Sequence, residues 1–332
     1  MAATPLVLVG LGPIGRATLA RALERRGLAV VGACDADPAL AGARLSDLVA
    51  GAPRSVRVVS AIGDWKALPK GTVAVVCTSS QLAAAAPTFR ALLAKRIAVV
   101  SSCEELTWPW RRSPRLAREL DALARRKKVA LLGTGVNPGY VLDLLPAVLT
   151  GPCLAVRAVR AHRVVDAALR RGPLQRKVGA GRTVAEFTTE ARAGRLGHVG
   201  LPESAELLCA ALGFGRPRIV EELLPKVATR PIATDHVRVE PGQVAGIDHR
   251  LVATAPRGVV ELHLEMYVGA EAPRDEVEID GDPPIRARLD GGTPGDLATV
   301  AALLNAAPAM AAAAPGLRSV LDGPFPLCRA RG

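Results

Sequence analysis

Aromatic residues make up only 3% of this 332-residue chain, and acids are outnumbered, 31 Asp and Glu against 43 Lys and Arg. The net charge of +12 invites a nucleic-acid reading, but the excess is mostly Arg spread along the whole chain. With few aromatics and no RRM, zinc-finger or basic-zipper pattern, no nucleic-acid partner is expected. No apolar run reaches the ~18 residues a membrane helix needs. The longest, Ala306 to Ala314, is broken by Pro308 and followed by Pro315. No basic region precedes Leu6-Val7-Leu8-Val9, so neither a signal peptide nor a membrane is expected, and the reading is a cytoplasmic protein. The six cysteines (Cys34, Cys77, Cys103, Cys153, Cys209, Cys328) form no Cys-x-x-Cys pair. None of the five histidines (His162, His198, His236, His249, His263) pairs with Cys at zinc spacing, so no metal is expected. There is no internal repeat and no low-complexity linker.

What is present is a soluble composition, 49% apolar and 22% charged, on a chain whose length suits two domains. The first part alternates short apolar strands with helical stretches, the grammar of a doubly wound parallel sheet. Its expected strands are Leu6–Gly10, Ala29–Asp35, Arg57–Ile62, Val73–Cys77, Ala98–Ser102 and Val129–Gly133. Helices are expected over Gly15–Arg26, Gln81–Lys95 and Pro114–Lys127, the last capped by Ser113 with Pro114 at the first helical position. Beyond the turn Asn137-Pro138-Gly139 and a helix over Tyr140–Leu149, longer strands dominate: Leu154–Val165, Val237–Val244, His249–Ala255 and Val259–Val268. The capping box Thr183-Val184-Ala185-Glu186 opens one helix, Pro202–Leu212 is another, and Asp296–Ala314 a last. The fold class is therefore α/β: a Rossmann domain over residues 1–140, an α+β domain with a mainly antiparallel sheet over 141–295, and a C-terminal helix and tail, 296–332, packing back on the first domain.

Gly10-Leu11-Gly12-Pro13-Ile14-Gly15 is a G-x-G-x-x-G, weak as a bare pattern. Here it follows an apolar strand, opens a helix, and is answered twenty residues later by Asp35 at the end of the next strand. Together these make the dinucleotide fingerprint. Gly10 allows the tight turn, Gly12 lets the backbone approach a pyrophosphate, Gly15 lets helix and strand pack closely, and the helix N-terminus faces the phosphates. Asp35 would accept hydrogen bonds from a ribose diol and repel a 2′-phosphate, and Asp37 adds to that repulsion. NAD is expected over NADP, with Arg44 the nearest Arg that could serve a 2′-phosphate. Thr78-Ser79-Ser80, ending the fourth strand, sits where such a sheet touches the cofactor's far half; a helix N-cap is the plain alternative for Ser80.

The substrate meets the nicotinamide at the carboxyl ends of strands five and six. Strand five ends in Ser101-Ser102-Cys103-Glu104-Glu105-Leu106. Two adjacent carboxylates leaving a buried strand are unusual, although surface acids are the common case. Asn137, Pro138, Gly139 and Tyr140 follow strand six, and Asn137 is expected at the nicotinamide or substrate; a helix cap with Pro at its start is the alternative.

Ser102-Cys103-Glu104-Glu105-Leu106, Gly133-Thr134-Gly135-Val136-Asn137-Pro138-Gly139-Tyr140, Pro173-Leu174-Gln175-Arg176-Lys177-Val178-Gly179-Ala180-Gly181 and Gly197-His198-Val199-Gly200-Leu201-Pro202-Glu203-Ser204 resemble the 2,4-diaminopentanoate dehydrogenase family. That family includes the native amine dehydrogenases and is distantly related to dihydrodipicolinate reductase. The resemblance runs through nearly the whole chain. It implies NAD(P)H-dependent reductive amination of a ketone or aldehyde with ammonia, the reverse oxidative deamination, and a homodimer built through the second domain's sheet. It also places the family's catalytic glutamate on Glu104, where a carboxylate can shuttle protons during ammonia addition and stabilise a cationic iminium.

The Glu-Lys-Pro of sugar-type dehydrogenases is replaced here by Glu104-Glu105-Leu106, and the His-His-x-x-x-Lys of dihydrodipicolinate reductase is absent. Both lessen those chemistries. Arg163, Asp166 and His198 are second-domain substrate candidates, against an ion pair for the first two and a structural role for the third. Cys103 as nucleophile lacks a supporting His or Asn motif. The rival readings are another NAD(P)-dependent alcohol or amino-acid dehydrogenase on the same scaffold and a non-catalytic NAD-binding sensor.

Overall fold

The computed structural model describes residues 3–170 and 172–322; Cys328 and the end of the expected C-terminal tail, 323–332, lie outside them. The chain folds as two units, Met1–Tyr140 with Pro294–Gly332, and Val141–Thr293.

The first unit runs β1 (Thr4–Val9), α1 (Pro13–Leu23), β2 (Leu28–Cys34), α2 (Leu45–Leu48), β3 (Val58–Val59), β4 (Val73–Val76), α3 (Leu82–Ala94), β5 (Ala98–Ser101), α4 (Pro114–Lys127) and β6 (Ala130–Gly133). The second holds α5 (Leu144–Leu149), β7 (Ala155–Asp166), α6 (Gly172–Lys177), α7 (Val184–Arg192), α8 (Leu201–Ala211), β8 (Arg218–Val227), β9 (Ile232–Ala233), β10 (Arg238–Val239), β11 (Val244–Ala255), β12 (Gly258–Tyr267), β13 (Arg274–Asp282) and β14 (Ile285–Asp290). The chain then returns to the first unit as α9 (Gly295–Met310) and β15 (Gly316–Arg318).

The first sheet is parallel throughout, in the order β15-β6-β5-β4-β1-β2-β3. Strands β4, β5 and β6 are buried at every position, because helices cover both faces: α3 and α4 on one, α1 and α9 on the other. The core joins Val7, Val76, Val99 and Leu131 of the strands to Phe89, Leu92 and Leu120 of the helices. Each such large side chain stabilises by about 1.5–3 kcal/mol on burial. Strand order reverses between β1 and β4, which opens a crevice at their carboxyl ends, where α/β sheets bind ligands.

The second sheet, β14-β13-β7-β12-β11-β8, is mixed. Only β7 and β12 pair in parallel; its other pairs are antiparallel. Burial alternates along β12 and β13, as it does when one face is packed and the other is not. Helices α7 and α8 pack on one face, against β8, β11 and β12.

Several local expectations are corrected. Arg57–Ile62 contains only the two-residue β3, followed by a single helical turn at Ile62–Asp64. Val237–Val244 is not one strand: Pro241 and Gly242 sit in a turn between β10 and β11, as a proline without an N–H to donate favours. Helix α5 starts only at Leu144, where the Asp143 carboxylate accepts from the Leu144 amide at 2.6 Å. Ser113 precedes α4 but its side chain makes no capping bond.

Candidate active site

At the crevice, Gly10 holds φ +88° and Gly12 caps α1, with Pro13 at its first position. A Cβ on Gly15 would lie 1.8 Å from the Gly10 carbonyl oxygen, so helix and strand approach at a distance only glycine permits. A Cβ on Gly12 would meet nothing within 4 Å. The backbone there is open over the N-terminus of α1, and Ile14 occupies that first turn. This arrangement fits a pyrophosphate, which such a terminus attracts through its orphan N–H groups.

Asp35 follows β2 and is half-buried. One carboxylate oxygen accepts from the Leu11 amide at 2.5 Å, the other from the Asp37 amide at 2.9 Å. Asp35 thus ties the glycine turn to the second strand, and each oxygen keeps a further lone pair for a diol. Asp37 caps the following helical turn through the Ala39 amide. Arg44 is exposed and opens α2.

Thr78, Ser79 and Ser80 form the link from β4 to α3. The helix caps at Gln81 rather than Ser80, and the Ser79 hydroxyl accepts from the Gln81 amide at 3.1 Å. Ser80 contributes its carbonyl, which accepts from the Glu105 amide at 3.2 Å. The Glu105–Ser80 bond ties the segment after β4 to the turn after β5.

The adjacent acids after β5 divide. Glu104 and Glu105 open one helical turn, Glu104–Leu106. Glu105 is 9% exposed; one oxygen accepts from the Leu82 amide, the first of α3, at 2.8 Å, and the other lies 3.7 Å from Arg112. It caps a helix. Glu104 is half-buried on the same turn, at the carboxyl end of the sheet. That turn abuts β6: a Cβ on Gly133 would lie 2.7 Å from the Leu106 carbonyl carbon and the Thr107 nitrogen. After β6, Asn137, Pro138 and Gly139 are buried, the Asn137–Pro138 bond is cis, and Tyr140 is exposed.

Cys103 is 1% exposed, and its thiol is pushed up to about 12, by burial first and then by the neighbouring Glu104 and Glu105. It is a protonated thiol at neutral pH, which removes the nucleophile reading. Cys77 is likewise raised, to about 11, by burial.

The second-unit candidates have structural partners. Arg163 is 2% exposed and grips both oxygens of Asp275 at 3.0 and 3.1 Å, while donating to the Thr293 carbonyl at 2.6 Å. This buried pair replaces the solvated one considered from sequence. Asp166 accepts from the Ala168 and Gly269 amides. His198 is half-buried in the loop before α8. Sequence reasoning missed Glu105 as a cap, Asp275 as the Arg163 partner and Asp143, which accepts from the Ser204 hydroxyl at 2.7 Å. None of these pairings has a local spacing that announces it.

Residues 140–331 match the profile of the 2,4-diaminopentanoate dehydrogenase C-terminal domain. The chain is 32% identical over 342 aligned positions to a 2,4-diaminopentanoate dehydrogenase of Acetoanaerobium sticklandii, covering 97% of this chain and 93% of that one. Its structure is similar to that of an amine dehydrogenase from Mycobacterium smegmatis, with a TM-score of 0.86 at 26% identity over 98% of this chain and 97% of that one. A myo-inositol dehydrogenase from Lactobacillus casei, in complex with NAD(H) and myo-inositol, aligns with a TM-score of 0.53 at 15% identity over 87% and 74% of the two chains, a likeness of fold.

Proposed function

The chain belongs to the 2,4-diaminopentanoate dehydrogenase family and is an NAD(P)-dependent amine dehydrogenase; on that premise we propose that it couples NADH oxidation to reductive amination of a ketone or aldehyde with ammonia, and runs the reverse oxidative deamination, with Glu104 as its proton-handling carboxylate. The observation that carries this reading is the place of Glu104, half-buried on the turn that follows β5 at the carboxyl end of the parallel sheet and abuts β6.

In this reading Gly10, Gly12, Pro13, Ile14 and Gly15 hold the pyrophosphate, Asp35 the adenosine ribose, and Thr78, Ser79, Ser80 and Asn137 the nicotinamide half. NADH supplies the hydride when bound. Glu104 takes a proton from ammonium, freeing the lone pair that forms the carbon–nitrogen bond. It then returns a proton to the departing hydroxyl, so that the carbinolamine loses water. As a carboxylate it balances the iminium cation left behind. The Glu-Lys sequence that would put a lysine acid next to it is replaced by Glu104-Glu105, and an iminium needs no alkoxide acid. Pro138, Gly139 and Tyr140 flank the substrate, whereas the Arg163 and Asp166 side chains, substrate candidates in the sequence, are engaged within the second unit.

The assay that tests this reading follows carbonyl-driven NADH oxidation with and without ammonia. Oxidation requiring ammonia supports it; oxidation at the same rate without ammonia makes the protein an alcohol dehydrogenase, and no oxidation with any carbonyl makes it a sensor. The proposal extends to a cytoplasmic homodimer through the second unit's sheet. The described cysteines are all free, as suits a reducing compartment, and the sheet leaves Val220, Leu224 and Val252 exposed on β8 and β11. Light scattering that shows a monomer at micromolar concentration removes the dimer.

A further inference from the structure

Of the residues assigned above to the dinucleotide, only Asp35 is charged, and it is an acid; Asp37 stands two positions on. Both carboxylates are held by backbone amides. A dinucleotide adds the negative charge of its diphosphate. The glycine turn offers that group amides, and Pro13, at the first position of α1, has none to give. A site so composed sets like charges against one another and gains from a cation close to the turn.

Arg16 stands where such a cation is wanted. It lies in the first turns of α1, after Gly15, and helical side chains lean back toward the N-terminus. Its Nε donates to the Leu11 carbonyl at 2.8 Å. Leu11 precedes the Gly12 cap, so the guanidinium is folded back over the start of the helix rather than out along it. The Leu11 amide donates in turn to Asp35 Oδ2 at 2.5 Å. One residue of the turn is thus gripped from both ends, by Asp35 at its N–H and by Arg16 at its carbonyl. Arg16 is exposed, and its Nη groups meet no carboxylate among the described residues. Arg21, later on the same helix, pairs instead with Glu24 at 2.8 Å.

We propose that Arg16 is a phosphate-binding residue of the dinucleotide site, its guanidinium donating to the cofactor's diphosphate at the glycine turn.

The chemistry suits that role. The Leu11 carbonyl takes Nε and orients the planar group, and the Nη donors remain for phosphate oxygens, which a guanidinium fork matches. The tether exists before the ligand arrives, so less side-chain freedom is lost on binding. The same charge offsets the repulsion between the diphosphate and the acids after β2, so that Asp35 can read a ribose diol beside it. Because NAD and NADP share the diphosphate, Arg16 strengthens both and leaves the choice between them to Asp35.

The proposal rests on the glycine turn as the dinucleotide site, and the test separates the two. Calorimetry on the full chain measures binding of NADH, NADPH, ADP-ribose and adenosine. No NADH binding by the unaltered protein overturns the dinucleotide site and Arg16 with it. Given that binding, Arg16→Gln should weaken NADH, NADPH and ADP-ribose by one shared factor of about 10–100, the scale of a hydrogen bond to a charged group. Adenosine, which lacks the phosphates, should bind as before. Arg16→Lys should fall between, since a point charge remains without the fork. The unaltered protein should lose NADH affinity more steeply with added salt than Arg16→Gln does. Arg21→Gln should leave every affinity unchanged. The thermal midpoint of the cofactor-free chain should differ little between Arg16→Gln and the unaltered protein, while the rise that NADH produces should be smaller in the variant. NADH affinity that survives Arg16→Gln undiminished, a loss confined to NADPH, which would put the guanidinium at the 2′-phosphate, or an equal loss for adenosine each overturns the proposal.

Discussion

The two sheets place their chemistry in different ways. In the parallel sheet of the first unit both faces lie under helices, so side chains along the strands serve packing and only the strand ends meet a ligand. The residues proposed for its chemistry therefore sit in short runs, Gly10–Gly15, Asp35, Thr78–Ser80 and Ser102–Glu105, each just past a strand. The second sheet packs one face, which buries the Arg163–Asp275 pair, and most of its other charged groups lie on the open face, brought together by register rather than by sequence neighbourhood. In the first unit a residue's position along the chain announces its place; in the second only pairing does.

Substitutions test that contrast, and the largest effect belongs to the strand-end carboxylate. Glu104→Gln keeps shape and removes both base and charge. It should lower the rate of reductive amination by about 10²–10⁴ while NADH affinity, set by the glycine turn, stays within a few-fold. A preformed imine should recover part of the loss, since ammonia addition and dehydration are then bypassed. Next comes the buried pair of the second unit. Asp275→Ala strands the Arg163 guanidinium and the Thr293 amide, both of which the Asp275 carboxylate holds, and should destabilise by about 3–5 kcal/mol. Denaturant unfolding reads this directly. Replacing both partners by apolar residues should recover most of it; a double variant as unstable as Asp275→Ala alone would mean that packing, rather than the orphaned charge, sets the cost.

The same contrast decides what was legible in advance. The glycine turn was readable because strand, glycines and Asp35 lie within thirty residues, and β1, β2, β4, β5 and β6 because their runs are almost wholly apolar; β15, three residues ending in Arg318, went unread. Strand β8, Arg218–Val227, went unread: its Glu-Glu-Leu-Leu carries no alternation, and its edge position leaves most of it exposed. Strands β13 and β14 were missed although both alternate, with Val277 and Ile279, and Ile285, Ala287 and Leu289, on one face and mostly charged residues on the other. Arg163 and Asp275 are 112 positions apart, as His162 and His263 are 101 apart. Nothing in the intervening chain indicates that β13 and β12 both border β7. The two histidines, whose rings stack, become neighbours only through that register.

A smaller effect is expected at Asp35. With its carboxylate beside the ribose site, NADH should outperform NADPH in kcat/KM. Asp35→Ala should narrow the ratio by on the order of tenfold, ~1.4 kcal/mol of like-charge repulsion at a partly exposed position. It should also loosen the glycine turn, because the Leu11 and Asp37 amides lose their acceptor, so KM for both cofactors should rise. A native preference for NADPH would show that Arg44, not Asp35, governs the choice.

The smallest expected effect is at Glu105, and it separates a carboxylate that holds structure from one that does chemistry. Glu105 lies on the same helical turn as Glu104, so a bystander and a catalyst differ by one position in sequence. Its oxygen bonded to the Leu82 amide works as an acceptor, and a Gln carbonyl can take that place. What Glu105→Gln removes is the negative charge at the N-terminus of α3 and its 3.7 Å pairing with Arg112, itself 49% exposed. Charge at a helix start contributes about 0.3–1 kcal/mol, and a half-exposed pair little more. The rate of reductive amination should therefore fall by no more than a few-fold. Glu105→Ala removes the acceptor as well and leaves a buried amide without its partner, at about 1–3 kcal/mol of stability. It should lower the unfolding midpoint and disturb the turn that carries Glu104, so its rate loss should exceed that of Glu105→Gln yet stay below that of Glu104→Gln. The ordering of the three variants is the test. A loss at Glu105→Gln equal to that at Glu104→Gln would assign the proton transfers to the buried acid and make Glu104 the bystander.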